Sequence, residues 1–365
     1  MAQRSLGISV YPEHTTVEKN EAYLELAAKY GFSRIFTCLL SVDKGAEETV
    51  EEFRSLMRMA HELGFRVAVD TNEQVFERLG ATPGNLKPFV DMGVDIIRLD
   101  GHFGDLGDMM LTRNDCGISI EFNASGNLPL DLLIERGSDP RNMCVCHNFY
   151  PEPYTGISEE IFMRLSRKYK DMGLHSAAFV SSQQPETFGP WPVAFGLPTC
   201  EDDRNRSIDL QARHLVACGL IDDILIGNAF ASEEELAALA AVDLTRVSMK
   251  IELAEGVSEP ELHALWDFDH VTRGDASEYL LRSSLPRMDF REASVPARET
   301  GKDHFTRGDV MVVNDNMAHY RGELEVALKD IPCDGARNLV GTIPSQELFL
   351  LDYIAPEHPF KFIEE

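Results

Sequence analysis

Over residues 1–243, short apolar strand segments alternate with helical segments eight times. Several of the helices end at a glycine, as at Gly31, Gly64 and Gly173. Eight such alternations in about 240 residues are the pattern of a (β/α)8 barrel, which typically needs about 250 residues. The sequence therefore predicts an α/β fold with a closed barrel. Its predicted strands are residues 6–11, 34–40, 66–70, 96–100, 118–123, 143–149, 175–180 and 223–227.

An open, doubly wound sheet is the alternative architecture for the same alternation. A dinucleotide-binding sheet of that kind would carry a Gly-x-Gly-x-x-Gly turn after its first strand, and this chain has none there. A phosphate-binding P-loop motif is also missing from the sequence. The barrel is therefore the favoured fold.

From residue 244 onward the pattern changes to short apolar runs that are separated by Gly, Pro and Asp clusters. This pattern predicts a second, smaller all-β domain over residues 244–365. Its predicted strands are Val247–Leu253, Tyr279–Arg282, Asp309–Val313, Glu323–Ala327 and Leu348–Tyr353.

Charge and composition limit the partners of the chain. A formal net charge of −27 argues against nucleic acid and anionic membranes as main partners. The seven cysteines are an odd number and lie mostly in apolar segments, which fits free thiols in a reducing compartment. The N-terminus has no apolar signal segment, and the predicted location is cytoplasmic. We expect a small-molecule partner; the oligomeric state stays open, with a homodimer as one option.

Polar side chains cluster where the predicted strands end. Alternation along a strand places Arg98 and Asp100 on one face, and Glu121 and Asn123 on one face of the next strand. Buried parallel strands are normally apolar on both faces, so these residues indicate an active site at the carboxyl end of the barrel. The strand-end residues are Tyr11, Glu13, Asp70, Arg98, Asp100, Glu121, Asn123, His147, Asn148 and Asn228.

Several carboxylates on neighbouring strands are suited to glycoside hydrolysis, in which one acid protonates the leaving oxygen and a second group assists. The same carboxylates with His147 could instead hold a divalent metal for isomerisation or hydrolysis. Structural roles are also open at this point. Asp70 and Asp100 could cap the following helices, Glu121 could pair with Arg98, and His147 could be a hydrogen-bonded core residue.

Motifs along the whole chain resemble the bacterial 6-phospho-N-acetylmuramidase family. They are LGISVYPE, IRLDGHFG, GISIEFNASG, CHNFYPEPYTG, DDILIGNAFASEEEL and, near the end, RGDVMVVNDN. The resemblance implies a TIM barrel followed by a C-terminal cyclophilin-like β domain. It also implies cytoplasmic cleavage of N-acetylmuramic acid 6-phosphate linked to N-acetylglucosamine, in peptidoglycan recycling. A glycosidase for an unphosphorylated sugar, a metal-dependent sugar isomerase or hydrolase, and a non-catalytic sugar-phosphate binding protein are the alternatives.

Strand position, rather than the resemblance, assigns the catalytic roles. Asp100 and Glu121 are the predicted catalytic pair, with Asp70 as the third catalytic candidate. Arg98 would tune the carboxylates, because a nearby cation lowers a carboxyl pKa. No cofactor and no metal are predicted. The residues predicted to bind substrate are Tyr11, Arg98, Asn123, His147, Asn148, Tyr150, Arg204 and Arg273.

Overall fold

The computed structural model describes residues 4–42, 46–192 and 195–364. The chain divides into two compact units, Met1–Val242 and Asp243–Glu365. The boundary predicted from the sequence, between residues 243 and 244, lies one residue further along the chain. Val193 and Ala194, in the predicted long loop after the seventh strand, lie outside the described residues.

The first unit is a closed parallel barrel in which the strand order is the order along the chain, β1 to β8. The predicted (β/α)8 fold is confirmed. Its strands are β1 Ser5–Ser9, β2 Arg34–Cys38, β3 Arg66–Thr71, β4 Ile96–Leu99, β5 Ser119–Asn123, β6 Met143–Cys146, β7 His175–Val180 and β8 Asp223–Ile226.

Helices surround the barrel and connect its strands. Thr16 caps the first of them by accepting a hydrogen bond from the backbone of Lys19, and Ser232 and Glu235 form a capping box at the last. The helices are α1 Val17–Lys29, α2 Ala46–Glu62, α3 Glu73–Leu79, α4 Lys87–Met92, α5 Gly104–Thr112, α6 Leu130–Glu135, α7 Glu159–Asp171, α8 Ile208–Ala217 and α9 Glu233–Ala240.

Side chains fill the interior of the barrel, which is therefore a packed core. One buried cluster includes Phe36, Cys146, Phe179 and Leu225 from four different strands and Tyr11, two residues after the end of β1. The rings of Phe36 and Phe179 meet edge to face, with centroids 5.1 Å apart. Polar groups that are buried in the interior of the barrel need hydrogen-bond partners from the protein or from a ligand.

The second unit has a seven-stranded mixed sheet and a separate two-stranded sheet. The order of the large sheet is β10-β17-β9-β16-β13-β14-β11, in which β9 and β17 are parallel and the other neighbours antiparallel. The strands are β9 Val247–Leu253, β10 His270–Val271, β11 Leu280–Ser283, β12 His304–Phe305, β13 Asp309–Val313, β14 Leu324–Ala327, β15 Ile331–Pro332, β16 Arg337–Thr342 and β17 Pro359–Glu364.

Two details of the second unit differ from the sequence prediction. Residues Glu259–Trp266 form a helix, α10, which starts at a capping box made by Ser258 and Glu261. The predicted strand Leu348–Tyr353 is wrong, because Ser345–Tyr353 is a 3-10 helix that begins directly after Pro344. Both segments are short, and tertiary packing decides the conformation of short apolar segments.

All seven cysteines are free thiols in the structure. Within the described residues, none of the helices combines the length and the apolar character that crossing a lipid bilayer requires.

Candidate active site

Asp70 and Arg98 form a buried ion pair near the carboxyl end of the barrel. Asp70 is the fifth of six residues in β3 and lies beside Arg98 in the register of β3 and β4. The Nη1 group of Arg98 donates to Asp70 Oδ1 at 2.6 Å, and its Nη2 group donates to Asn148 Oδ1. The structure thus brings together three of the predicted site residues.

Burial raises the pKa of Asp70 to about 6, although the charge of Arg98 and its hydrogen bond act in the opposite direction. The negative charges of Asp100 and Glu121 add to the rise. A carboxyl group with a pKa near the working pH can both hold and release a proton, which is the property that general acid catalysis requires.

Glu13 is a second carboxylate at the same end of the barrel. It lies in a 3-10 helix, Pro12–His14, directly after β1, and its Oε1 accepts a hydrogen bond of 2.5 Å from the hydroxyl of Ser41. Its side chain is only 10% exposed, yet Oε2 has no hydrogen-bond partner among the described residues. The pKa of the Cys38 thiol is raised to about 12, mainly by burial, and the negative charges of Asp70 and Glu13 contribute to this rise.

Glu121 lies deeper in the barrel, in a different network. Its side chain is fully buried, and its Oε1 forms an ion pair with Arg34, which also pairs with Asp223. Arg34 and Asp223 are the first residues of β2 and β8, at the amino-terminal end of the barrel. Residues at that end generally serve stability. The open structural role of Glu121 was a pair with Arg98; the partner in the structure is Arg34.

Asp100 and Asn123 stand at the ends of their strands. Asp100 is exposed in the turn after β4, where its backbone N–H donates to the carbonyl of Thr71 at 2.7 Å. Asn123 is half-buried, and its Oδ1 accepts a hydrogen bond from the backbone N–H of Ser125 at 2.9 Å. Neither side chain contacts the Asp70–Arg98 pair by hydrogen bond in the described part of the chain.

His147 points away from the centre of the barrel. Its Nε2 is 2.9 Å from the hydroxyl of Ser166 on α7, and its ring packs against Phe162. Burial, with a contribution from the charge of Arg98, lowers the pKa of His147 to about 3, so the imidazole is neutral. These contacts are those of a hydrogen-bonded core histidine. The next residue, Asn148, alternates to the inner face, where it meets Arg98.

Tyr11, Tyr150 and Arg204 build the rim of the barrel. The buried hydroxyl of Tyr11 donates to the carbonyl of Gly227 at 2.6 Å, which joins the ends of β1 and β8. Arg204 binds the carbonyl of Tyr150 at 3.0 Å and both carboxylate oxygens of Glu201 at 2.7 Å. Since the guanidinium also binds the carbonyls of residues 152, 195 and 196, its donors are directed at protein atoms rather than at a substrate anion.

Arg273 lies in the second unit. Its guanidinium makes two hydrogen bonds to the carboxylate of Asp275, at 2.6 and 2.8 Å, and one to the hydroxyl of Ser284 at 3.1 Å. It lines a small cavity of about 80 Å³ within that unit, together with Arg282.

A group with metal-ligand character, Glu159, Cys200 and His214, lies outside this site, and it contains none of the predicted catalytic residues. Burial raises the pKa of Cys200 well above its usual value, which keeps the thiol protonated. His214 is instead bonded to the carboxylates of Asp203 and Glu159, at 2.8 and 3.1 Å. Because both ring nitrogens of His214 are bonded to carboxylates, this group is better explained as a structural network.

Sequence reasoning placed Glu13 among the strand-end residues without giving it a role, and it did not single out Arg34 or Asp223. The signal for Glu13 is its position directly after an apolar strand, in the segment YPEH. For Arg34 the signal is an arginine that opens the otherwise apolar strand RIFTC, since a buried cation requires a counter-charge.

A (β/α)8 barrel with buried carboxylates at the carboxyl ends of its strands defines an enzyme of the TIM-barrel class. The family model described as 6-phospho-N-acetylmuramidase, N-terminal, matches residues 6–241, and the one described as 6-phospho-N-acetylmuramidase, C-terminal, matches residues 247–363. The chain belongs to the 6-phospho-N-acetylmuramidase family and is a glycosidase.

Two solved structures resemble the whole chain. An uncharacterized protein from B. cereus is 40% identical and covers 99% of this chain and 100% of its own, with a TM-score of 0.91. A conserved protein of unknown function from Enterococcus faecalis is 25% identical and covers 99% of this chain and 96% of its own, with a TM-score of 0.70. No curated protein matches the chain at a significant level.

Proposed function

We propose that this enzyme hydrolyses the glycosidic bond between N-acetylmuramic acid 6-phosphate and N-acetylglucosamine, in the cytoplasm, as a step of peptidoglycan recycling. Membership of the family supports the phosphorylated muramic acid as the sugar whose bond is cleaved. A predominantly β unit built on a mixed sheet supports a cyclophilin-like second domain.

Asp70 and Glu13 are the proposed catalytic carboxylates. Asp70 would act as the general acid that protonates the leaving oxygen, because its carboxyl group keeps a proton to about pH 6. Glu13 would act on the opposite side of the reacting carbon, through its Oε2, which has no hydrogen-bond partner among the residues that the structure describes. In an inverting glycosidase that oxygen would act as the general base that takes a proton from the attacking water. In a retaining glycosidase it would act as the nucleophile that attacks the sugar carbon.

Arg98 is the proposed positioning residue for Asp70. Its guanidinium holds one oxygen of the carboxyl group and leaves the other available to the substrate. Asn148, on the far side of Arg98, fixes the orientation of the guanidinium. In this proposal the charge of Glu121, deeper in the barrel, helps to raise the pKa of Asp70.

One observation carries the proposal: Asp70, a buried carboxyl group with a raised pKa, and Glu13, a largely buried carboxylate with one oxygen that lacks a hydrogen-bond partner among the described residues, both lie at the carboxyl end of the barrel, where both charges act on the thiol of Cys38. Glu121 also has one buried oxygen without a partner in the described part of the chain, but its other oxygen pairs with Arg34 deeper in the barrel, so position at the carboxyl end distinguishes Glu13 from it. Perturbed, incompletely bonded carboxylates are more typical of catalytic sites.

The test is an incubation with N-acetylmuramic acid 6-phosphate–N-acetylglucosamine and, separately, with its unphosphorylated counterpart, followed by mass spectrometry. We expect release of N-acetylglucosamine from the phosphorylated disaccharide, and at most slow release from the other. Equal or faster cleavage of the unphosphorylated disaccharide would overturn the assigned substrate. Loss of turnover after treatment with a chelator, restored by a divalent metal, would overturn the proposed acid–base mechanism.

A further inference from the structure

A cavity of about 770 Å³ opens at the rim of the barrel, among the loops that follow β6, β7 and β8. Phe188 lines it and also packs against the rings of Tyr11 and His14, with centroids 6.4 and 6.0 Å apart. His14 is the chain neighbour of Glu13, so one wall of the cavity packs against the segment that carries this proposed catalytic carboxylate. A space of this size can hold a sugar ring.

Aromatic rings are exposed at the edge of this cavity. The side chain of Tyr154 is 93% exposed and that of Phe195 is 63% exposed, and both line the cavity. A single exposed aromatic side chain is common at a protein surface, but two at one opening form an apolar patch of the kind that marks a binding site. Two of them at one opening provide flat apolar surfaces of the kind on which the C–H face of a pyranose ring stacks.

The backbone holds Tyr154 in place at an energetic cost. Its φ angle is +70°, in the left-handed region that residues other than glycine rarely adopt. Glu201 stabilises this conformation, because its Oε1 accepts the N–H of Tyr154 and its Oε2 accepts the N–H of Gly156, each at 2.8 Å. A Cβ atom on Gly156 would lie 2.5 Å from Glu201 Oε2, so only glycine permits this approach.

Arg204 fixes both sides of the opening. It binds Glu201 through both carboxylate oxygens and, through the carbonyls of Tyr150 and Phe195, anchors the loop after β6 and the loop after β7. One buried guanidinium therefore holds the backbone segments that carry both exposed rings. This arrangement keeps the rings apart from the protein core, where they would otherwise pack.

The lining of the cavity carries no free charge. Glu201 and Arg204 are the charged residues among the described ones that line it, and they pair with each other. The other polar groups are the neutral side chains of Ser182, Gln183, Gln184, Thr187, Asn205 and Asn228. An anionic group in the cavity would lose its water without gaining a cation, whereas hydroxyl and amide groups find matching partners.

We infer that this cavity is a sugar subsite which binds an uncharged pyranose ring, stacked on Tyr154 and Phe195. The inference rests on the proposed function: the uncharged ring is the leaving N-acetylglucosamine, and the phosphorylated ring binds outside this cavity. Arg204 acts here as a positioning residue for the two rings.

Binding to the full-length protein tests the subsite without requiring turnover. The probes are N-acetylglucosamine and N-acetylglucosamine 6-phosphate, followed by saturation-transfer NMR. We expect the uncharged sugar to bind more tightly than its phosphate, and Tyr154→Ala to raise its Kd about five- to tenfold. Tyr154→Phe, which keeps the ring, and Tyr279→Ala, which removes an exposed tyrosine from the second unit, should bind like the wild type.

Tighter binding of the phosphate, or wild-type affinity in both Tyr154→Ala and Phe195→Ala, would overturn the subsite. Turnover separates this failure from failure of the proposed function. If the wild type and both alanine variants cleave the phosphorylated disaccharide with equal kcat/KM, the subsite is wrong and the function stands. If the wild type cleaves nothing but binds N-acetylglucosamine through Tyr154, the function is wrong and the subsite stands.

Discussion

Two buried aspartates in the same barrel, Asp70 and Asp223, each pair with an arginine, and their pKa values shift in opposite directions. Burial raises the pKa of Asp223, but hydrogen bonds from His175 and Ser5 and the charge of Arg34 outweigh it and hold the pKa well below its usual range. For Asp70 burial prevails, and the pKa rises to about 6. An arginine partner alone therefore does not make a buried carboxyl group acidic.

The number of donors explains the difference. Asp223 accepts hydrogen bonds from Ser5 at 2.5 Å, from His175 at 2.8 Å and from Arg34. The hydrogen bond that Asp70 accepts from a side chain comes from Arg98. Each donor favours the charged form of a carboxylate, whereas burial favours the neutral form. The network of Asp223 at the amino-terminal end of the barrel thus has the several donors of a structural site. The Asp70–Arg98 pair at the carboxyl end has the fewer donors of a reactive one.

The largest expected effect comes from Asp70→Asn, which removes the proposed general acid. We expect kcat for the phosphorylated disaccharide to fall about 10³- to 10⁴-fold, in the upper range for loss of a general acid. Circular dichroism should show an intact fold. Asp91→Asn, an exposed site on α4, is the matched control and should leave kcat unchanged. Turnover of Asp70→Asn within threefold of wild type would remove the central contrast between the two aspartates.

Arg34→Met tests the structural half of the comparison. The change leaves Glu121 and Asp223 buried without their cation, and loss of one partner from a buried ion pair costs about 3–5 kcal/mol. We expect the free energy of unfolding, measured with urea, to fall by that amount, while the folded enzyme keeps most of its kcat. Arg54→Met, at an exposed pair on α2, should cost less than about 1 kcal/mol. Unchanged stability of Arg34→Met would contradict the structural assignment.

Glu13→Gln tests whether Glu13 or Glu121 is the second catalytic carboxylate. Removing its charge should lower kcat by about 10²-fold, with little change in KM, because the group acts mainly on the transition state. Glu18→Gln, an exposed residue of α1, serves as the control. If Glu121→Gln lowers kcat more than Glu13→Gln at equal stability, the pair predicted from the sequence is the better assignment.

The buried cation of protonated His214 gives a smaller effect, a dependence of stability on pH. Burial lowers its pKa, but Asp203 and Glu159 outweigh burial and raise the pKa to about 9. A raised histidine pKa adds stability that is complete below about pH 6.5 and is lost as the pH rises through 9. We expect the free energy of unfolding to decline by about 2–3 kcal/mol between pH 6.5 and 9, and His214→Gln to flatten this decline. A decline of equal size in His214→Gln would contradict the assignment.

The fold was predictable because its signals are local. Each strand and helix of the barrel has its own periodicity, and eight repeats leave few alternative folds. The short helix Glu259–Trp266 and the 3-10 helix Ser345–Tyr353 were not predicted. In segments of eight or nine residues, helix and strand patterns differ too little for periodicity to separate them.

The site was predictable only in part, because partners decide the chemistry of a buried carboxylate. The sequence placed Asp70, Arg98 and Asn148 at the strand ends, and the structure joins them by hydrogen bonds. It also pointed to Glu121, since a glutamate within a buried strand needs a partner. That partner, Arg34, is 87 positions away along the chain, and local sequence patterns do not reveal such a contact.

The pKa of Asp70 in the free enzyme tests the central claim most directly. The phosphate of the substrate itself titrates near pH 6 and would overlap with Asp70 in a pH–rate profile. A titration of the free protein avoids this overlap. NMR of the protein with ¹³C-labelled aspartate carboxyl groups, with Asp70→Asn used to assign the resonance, measures this value. We predict that the Asp70 resonance titrates near pH 6, whereas the pKa of Asp223 lies well below the usual range of an aspartate. Titration of Asp70 below pH 4 would contradict its role as the general acid.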